Sequence, residues 1–153
     1  MAEQQQYCTF FLNNLFLGVD VRLVQEVIRS QHLTHVPLAT REISGLINLR
    51  GQIVTAIDLR RRLNLPDRPA GQAPMNVVVR NEDSIHSLLV DLVGDVVTVE
   101  DSTFEKPPDT LDPALRGLIT GAHKLQDRLL LVLDVKQAVQ LDHAGATLRE
   151  PVA

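Results

Sequence analysis

Residues 45–63, GLINLRGQIVTAIDLRRRL, hold the pattern that decides the fold. An apolar run at Leu46 and Ile47 breaks at Asn48-Leu49-Arg50-Gly51, and Ile53, Val54 and Ile57 form a second, β-branched run. Gly51 takes positive φ without steric cost, so the spacing predicts strand, tight turn, strand. Asp58 stands where a helix N-cap belongs, with an oxygen for free backbone N–H groups. Leu59 and Leu63 lie one helical turn apart and Pro66 stops the helix. Arg50 is the odd residue, a long cation at the tip of a hairpin otherwise made of core formers.

Before this stretch, Tyr7 to Leu12 and Leu15 to Val19 are apolar segments joined by Asn13-Asn14, a two-residue hairpin signal. Asp20 caps the next segment. There Leu23, Val24, Val27 and Ile28 give a helical stripe, with Arg22, Gln25, Glu26 and Arg29 turned outward. Residues 31–36 read as a short strand ended by Pro37, and Thr40 to Ser44 as one helical turn. After it, residues 66–74, PDRPAGQAP, form a Pro/Gly-rich linker. Val77 to Val79, Ile85 to Val90, Val93 to Val99, Leu115 to Ala122 and Leu129 to Leu133 read as strands. Asp134 caps a last helix in which Val135, Ala138 and Val139 share a face. Residues 142–153 lose periodicity and read as a flexible tail.

The segments repeat. Strand, polar turn, strand and aspartate occur in YCTFFLNNLFLGVD and again in NVVVRNEDSIHSLLVD. Gly45-Leu46-Ile47 has a counterpart in Gly117-Leu118-Ile119, and Ala56-Ile57-Asp58-Leu59 in Val132-Leu133-Asp134-Val135. The separation is nearly constant from Asp20 to Asp91, from Gly45 to Gly117 and from Asp58 to Asp134. Two copies of a small β unit, about residues 7–65 and 76–141, are each too small to bury a core alone. Many short strands and little helix predict a mainly β fold of two packed barrels.

Composition narrows the chemistry. Net charge is −4, so no general attraction to nucleic acid or anionic membrane is expected, and 3% aromatics with no Trp leave no stacking platform for single strands. The single Cys8 has no partner for an internal disulfide, which fits a reducing, cytosolic compartment. No apolar run reaches the length of a membrane span, and MAEQQQ lacks a signal pattern. Cys8 sits in an apolar strand with no nearby cation to stabilise a thiolate. His32 and His35, spaced HxxH, would point to opposite faces of a strand, and His86, His123 and His143 are scattered, so no metal site is expected. Asp58 and Asp134 occupy equivalent repeat positions, but their context reads as two helix caps rather than a general acid/base pair. No GxSxG, P-loop or GxGxxG occurs, and no cofactor is implied. Arg60-Arg61-Arg62 reads as a solvated helix face, with an acidic partner as the alternative. Arg50 reads equally as a surface charge, solubilising or held in a surface salt bridge, and as an interface anchor.

FFLNNLFLGVDVRLVQEV, GLINLRGQIVTAIDLRRRL, LLVDLVGDV and GLITGAHKLQDRLLLVLDVKQAV together resemble the CheW family of bacterial signalling adaptors, over residues 7–141. The NLRG turn, followed by a β-branched strand, aspartate and short helix, is the most specific part. The resemblance implies two SH3-like, five-stranded β-barrel subdomains around a shared hydrophobic region. It also implies a cytoplasmic, non-enzymatic scaffold at receptor arrays that couples methyl-accepting chemoreceptors to the CheA histidine kinase. Carried over by motif, the receptor-facing residues are Val24, Glu26, Gly45, Arg50 and Val96. The kinase-facing ones lie between Gly117 and Lys124, with Thr120 and Ala122. Two positions depart from the family pattern, Ser87 and Leu92, where glycine is common. A stand-alone regulator of another receptor–kinase pathway, such as surface or pilus-based motility, binding receptor or kinase but not both, is the alternative. A hydrolase would need Asp58 and Asp134 together in a cleft.

Overall fold

The NLRG turn forms as expected. In the computed structural model, which describes residues 3–141, strand β4 (Ile43–Leu49) runs into β5 (Gln52–Asp58) through Arg50 and Gly51, at φ 55° and 89°. Two positive φ values in a two-residue loop match the right-handed twist of the flanking strands. Helix α1 (Leu59–Arg62) starts on Asp58, whose Oδ1 accepts the Arg60 and Arg61 N–H groups at 3.0 and 3.4 Å.

The remaining strands are β1 (Gln4–Leu12), β2 (Leu15–Asp20), β3 (Val24–Ile28), β6 (Met75–Asn81), β7 (Ser84–Val90), β8 (Leu92–Glu100), β9 (Phe104–Glu105), β10 (Ile119–Lys124) and β11 (Leu129–Leu133). Two more short helices, α2 (Pro113–Arg116) and α3 (Val135–Val139), complete the described chain. The tail expected at 142–153 lies outside the described residues. One sheet has the order β8-β1-β2-β11-β10-β9 and the other β3-β6-β7-β5-β4. The sequence halves are therefore not the spatial ones. Each sheet takes strands from both, joined by the parallel pairs β2–β11 and β5–β7.

Both sheets curl until one stretch of chain occupies both edges. After β3 the chain returns to β4 through paired hydrogen bonds between Thr34 and Leu46, at 2.8 and 2.9 Å. After β8 it turns through Asp101–Thr103 and returns as β9 to pair Glu105 with Ala122 of β10. Closure in this way leaves little open edge. The two crossings are the same feature, with Thr34 in the place of Glu105 and Leu46 in that of Ala122. Only the second is long enough to count as a strand, hence six strands in one sheet and five in the other. The expected strand over 31–36 reduces to that single bridge at Thr34.

The closures also correct one repeat assignment. Ser44 and Thr120 are extra residues bulged opposite Ile57–Ala56 and Leu133–Val132. The counterpart of Gly45 is therefore Gly121, at the same separation as Asp58 from Asp134, and not Gly117. A Cβ on either glycine would lie 2.6 Å from a carbonyl oxygen of the crossing chain, that of Thr34 or of Glu105. Bare backbone is what lets the crossing approach.

Three further expectations fail for local reasons. Thr40 to Ser44 is not a helical turn: one hydrogen bond from Ile43 N–H to Thr40 O, at 3.0 Å, closes a turn, and strand β4 begins at Ile43. Residues 21–28 are a 3₁₀ turn at Val21–Leu23 followed by strand β3, not a helix. Residues 115–117 belong to α2 and its C-cap rather than a strand, because Asp112 caps Ala114 N–H at 2.9 Å and Pro113 takes the first helical position. Three apolar clusters hold the molecule. Ile47, Val54, Ala56 and Val78 fill one barrel, and Tyr7, Leu130 and Val132 the other. The largest, with Phe10, Leu17, Ile57, Leu88 and Leu133, takes residues from both sheets and helix α3.

Candidate functional site

The arginine run is structural rather than a solvated face. Arg60 is buried and donates to Asp91 through Nε (2.9 Å) and Nη2 (2.6 Å). Arg61 pairs with Asp67, and Arg62 donates to the carbonyls of Gln137 and Ala138 at the end of α3, where the helix dipole favours a cation. Arg68 of the linker reaches the same Asp91 at 3.0 Å, and the Asn13 N–H donates to it at 2.8 Å. Burial pushes the Asp91 carboxyl up, but these donors together outweigh it and hold the carboxyl below its ordinary value.

At the hairpin tip the arrangement is different. Arg50 Nη1 and Nη2 donate to Glu26 Oε2 and Oε1 at 2.6 and 2.7 Å, a parallel two-bond pair of the kind guanidinium and carboxylate favour. Glu26 lies on β3 just past a bulge at Gln25, not on a helix as read from sequence. Gln25 in turn accepts from Arg80 at 2.8 Å. The pair joins β3 to the tip of β4–β5, elements at opposite ends of their sheet, and so spans the barrel mouth. Its partners differ in exposure: the Glu26 side chain is 19% exposed and that of Arg50 72%. Hydrogen bonds from Arg50 hold the Glu26 carboxyl below its ordinary range, so both groups are charged near neutrality. The turn is itself held, as Asn48 Oδ1 accepts the Gly51 N–H at 2.7 Å.

Of the other receptor-facing candidates, Val24 is half-buried against the shared core, with Leu23 and Val27 more exposed beside it. Gly45 is buried at φ 153° and serves the chain crossing. Val96 is exposed but lies on β8 of the other sheet, opposite Cys8. The fold thus brings Glu26 and Arg50 into contact and leaves Val96 on a separate sheet. Ile53, 62% exposed and paired with Asn48 beside the tip, was missed. Its signal is a β-branched residue at an outward strand position.

Among the kinase-facing candidates, Gly117 and Thr120 are exposed, and Lys124 pairs loosely with Glu105 at 3.7 Å. Ala122 is 2% exposed and packs in the shared core, on a stretch of β10 buried on both faces from Gly121 to His123; it presents no surface. Ser87 is likewise internal, donating to Asn76 Oδ1 at 2.8 Å, whereas Leu92 is 59% exposed. Asp134 caps its own helix at Gln137 N–H, so the two repeat aspartates each serve a helix. Cys8 is buried, and burial raises its thiol pKa. Among the described residues no three His, Cys, Asp or Glu side chains are grouped to hold a metal ion. None of the described helices is long and apolar enough to cross a membrane.

Residues 6–143 match the model of the CheW-like domain. The chain belongs to the CheW family. It is 31% identical to the chemotaxis protein CheW of Bacillus subtilis, over 94% of this chain and 92% of that protein. It is 28% identical to the chemotaxis protein CheW of Treponema pallidum, over 87% and 81% respectively. The scaffolding protein TtCheW from Thermoanaerobacter tengcongensis superposes with a TM-score of 0.82 at 24% identity, covering 93% of this chain and 92% of that one. CheW-family proteins are non-enzymatic scaffolds of chemotaxis, and this chain has their mainly β, two-subdomain SH3-like architecture.

Proposed function

We propose that this CheW-family chain is the adaptor between methyl-accepting chemoreceptors and a CheA-type histidine kinase, on the cytoplasmic side of receptor arrays. The Arg50–Glu26 pair carries this reading. The guanidinium is half-open, its two terminal nitrogens held by a carboxylate. With exposed Val27 next to that carboxylate in the chain and exposed Ile53 beside the tip, it suits the capture of a polar and apolar helical tip. Val24, Gly45 and Val96 are assigned to the receptor side from the family pattern. Gly117, Thr120 and Lys124 are the accessible candidates for the kinase's regulatory domain.

The test is co-purification of a receptor cytoplasmic fragment and the kinase with this chain. The unmodified chain holds both at once. Arg50→Ala weakens receptor binding by about tenfold or more, as for a hot-spot arginine, and Arg50→Glu by more, with kinase retained and thermal stability unchanged. Receptor capture by Arg50→Ala at the unmodified level would remove the anchor role. Failure of the unmodified chain to hold both partners together would remove the adaptor reading.

A further inference from the structure

We infer that Asn48 is the positioning residue of the Arg50 docking group, an assignment that rests on the reading of Arg50 as receptor anchor. Arg50 is an L-residue with a Cβ held at φ 55°, a region that side-chain-bearing residues rarely occupy. At this tip the Asn48 side chain adds an acceptor for the turn, its Oδ1 2.7 Å from the Gly51 nitrogen. That amide follows Arg50 directly, so the hydrogen bond brackets Arg50 between its two ends and sets where the side chain leaves the backbone.

The duplicated hairpin supplies the control. In β10–β11, Lys124 pairs with Leu129 and Leu125 N–H donates to Arg128 O at 2.8 Å, the same register and the same two-residue loop as Asn48 with Ile53 and Leu49 with Gln52. Lys124 occupies the place of Asn48 and offers no acceptor, and the loop residues Gln126 and Asp127 include neither a glycine nor a positive φ. A hairpin of this register therefore closes without the side-chain clamp. Hairpins β1–β2 and β6–β7 also open two-residue loops at positive φ, 56° at Asn13 and at Glu82. They have Phe11 and Arg80 in the place of Asn48 and no such acceptor, so the turn itself does not require the clamp. Among the described hairpins it accompanies the tip whose arginine meets Glu26. Asn48 is exposed and belongs to none of the apolar clusters, so its packing contribution is small.

The experiment compares full-length Asn48→Ala, Asn48→Asp and Arg50→Ala with the unmodified chain. The readouts are Gly51 amide hydrogen exchange, the Glu26 carboxyl titration by NMR, the melting temperature, and affinity for a chemoreceptor cytoplasmic fragment from the same organism. In Asn48→Ala, Gly51 exchange accelerates, and the Glu26 midpoint rises as its Arg50 donors are lost for part of the time. The melting temperature falls by no more than about 2–4 °C, and receptor affinity falls about 2- to 10-fold, the range of one hydrogen bond. Combining Asn48→Ala with Arg50→Ala adds no further loss, and Asn48→Asp, which keeps an acceptor, restores slow Gly51 exchange and affinity. Unchanged Gly51 exchange and Glu26 titration in Asn48→Ala would overturn the inference whatever the receptor does. If Arg50→Ala binds receptor normally, the anchor reading fails instead, and the two local NMR readouts still decide what Asn48 does.

Discussion

Hairpins β4–β5 and β10–β11 are built to one plan and finished differently. Each bulges one residue before a glycine, Gly45 or Gly121, and lets a crossing chain approach that glycine. Each ends in an aspartate whose N–H donates back across the hairpin mouth, Asp58 to Glu42 at 2.8 Å and Asp134 to Leu118 at 2.9 Å, before capping a helix. At the tips the likeness stops. Arg50 reaches outward and pairs with Glu26, while Arg128 folds back over Phe16 and Phe11, 4.8 and 5.7 Å from their ring centroids. Duplication has kept what closes a barrel and let the exposed loop change, because close backbone crossings make substitution costly and loop tips tolerate many changes.

The sharpest contrast between the repeats is the aspartate that ends each first hairpin. Asp20 pairs with exposed Arg22 at the surface, but Asp91 is buried between Arg60 and Arg68. Asp91→Ala would strand two buried guanidinium groups and is expected to cost about 3–5 kcal/mol in denaturant unfolding, with Asp20→Ala far milder. Equal losses would show that the two sites are interchangeable. Because the Asp91 pKa is lowered in the folded state, its stabilisation is present above the unfolded carboxyl's pKa and is lost as pH falls through and below about 4. Unfolding free energy should drop over that acidic range, and the drop should shrink in Asp91→Asn.

Next in size are the crossings. Gly45→Ala is expected to cost about 2–3 kcal/mol, since the new Cβ meets the Thr34 carbonyl and the backbone stands at φ 153°. Gly121→Ala meets Glu105 O equally closely but without a positive φ, so thermal melts should rank it the milder of the two. A reversed order would show that displacing the Phe104 ring, which also lies over Gly121, dominates. The smallest effect is at the tips: Arg128→Ala should cost about 0.5–1 kcal/mol through its lost aromatic contact, where Arg50→Ala leaves the melting temperature in place.

Much of this was legible locally. Asn13-Asn14 and the NLRG turn, the Asp58 and Asp134 caps and the buried face of α3 depend on near neighbours in the chain, and each forms as read. Segment 20–29 misled for a specific reason. Burial along β3 alternates as in a strand, with Val24, Glu26 and Ile28 turned in, but the exposed Leu23 and Val27 are apolar too and complete spacings that imitate a helix. The arginine run misled because its partners are distant in the chain: Asp91 lies beyond the linker, and the end of α3 lies in the other repeat. For the candidate site, motif resemblance pointed to Arg50 and Glu26, but their contact, the clamp from Asn48 and the burial of Ala122 came only with the fold.

The chain's order of residues by itself determined which segments extend, where they turn and which aspartates start helices, since turn and cap energetics are settled between close neighbours. The tertiary structure alone decided that strands from the two halves interleave, that glycines 45 and 121 correspond, and that an exposed arginine stands fixed at a barrel mouth. Those outcomes depend on burying apolar faces too small to be stable separately, a requirement that acts between residues far apart in the chain.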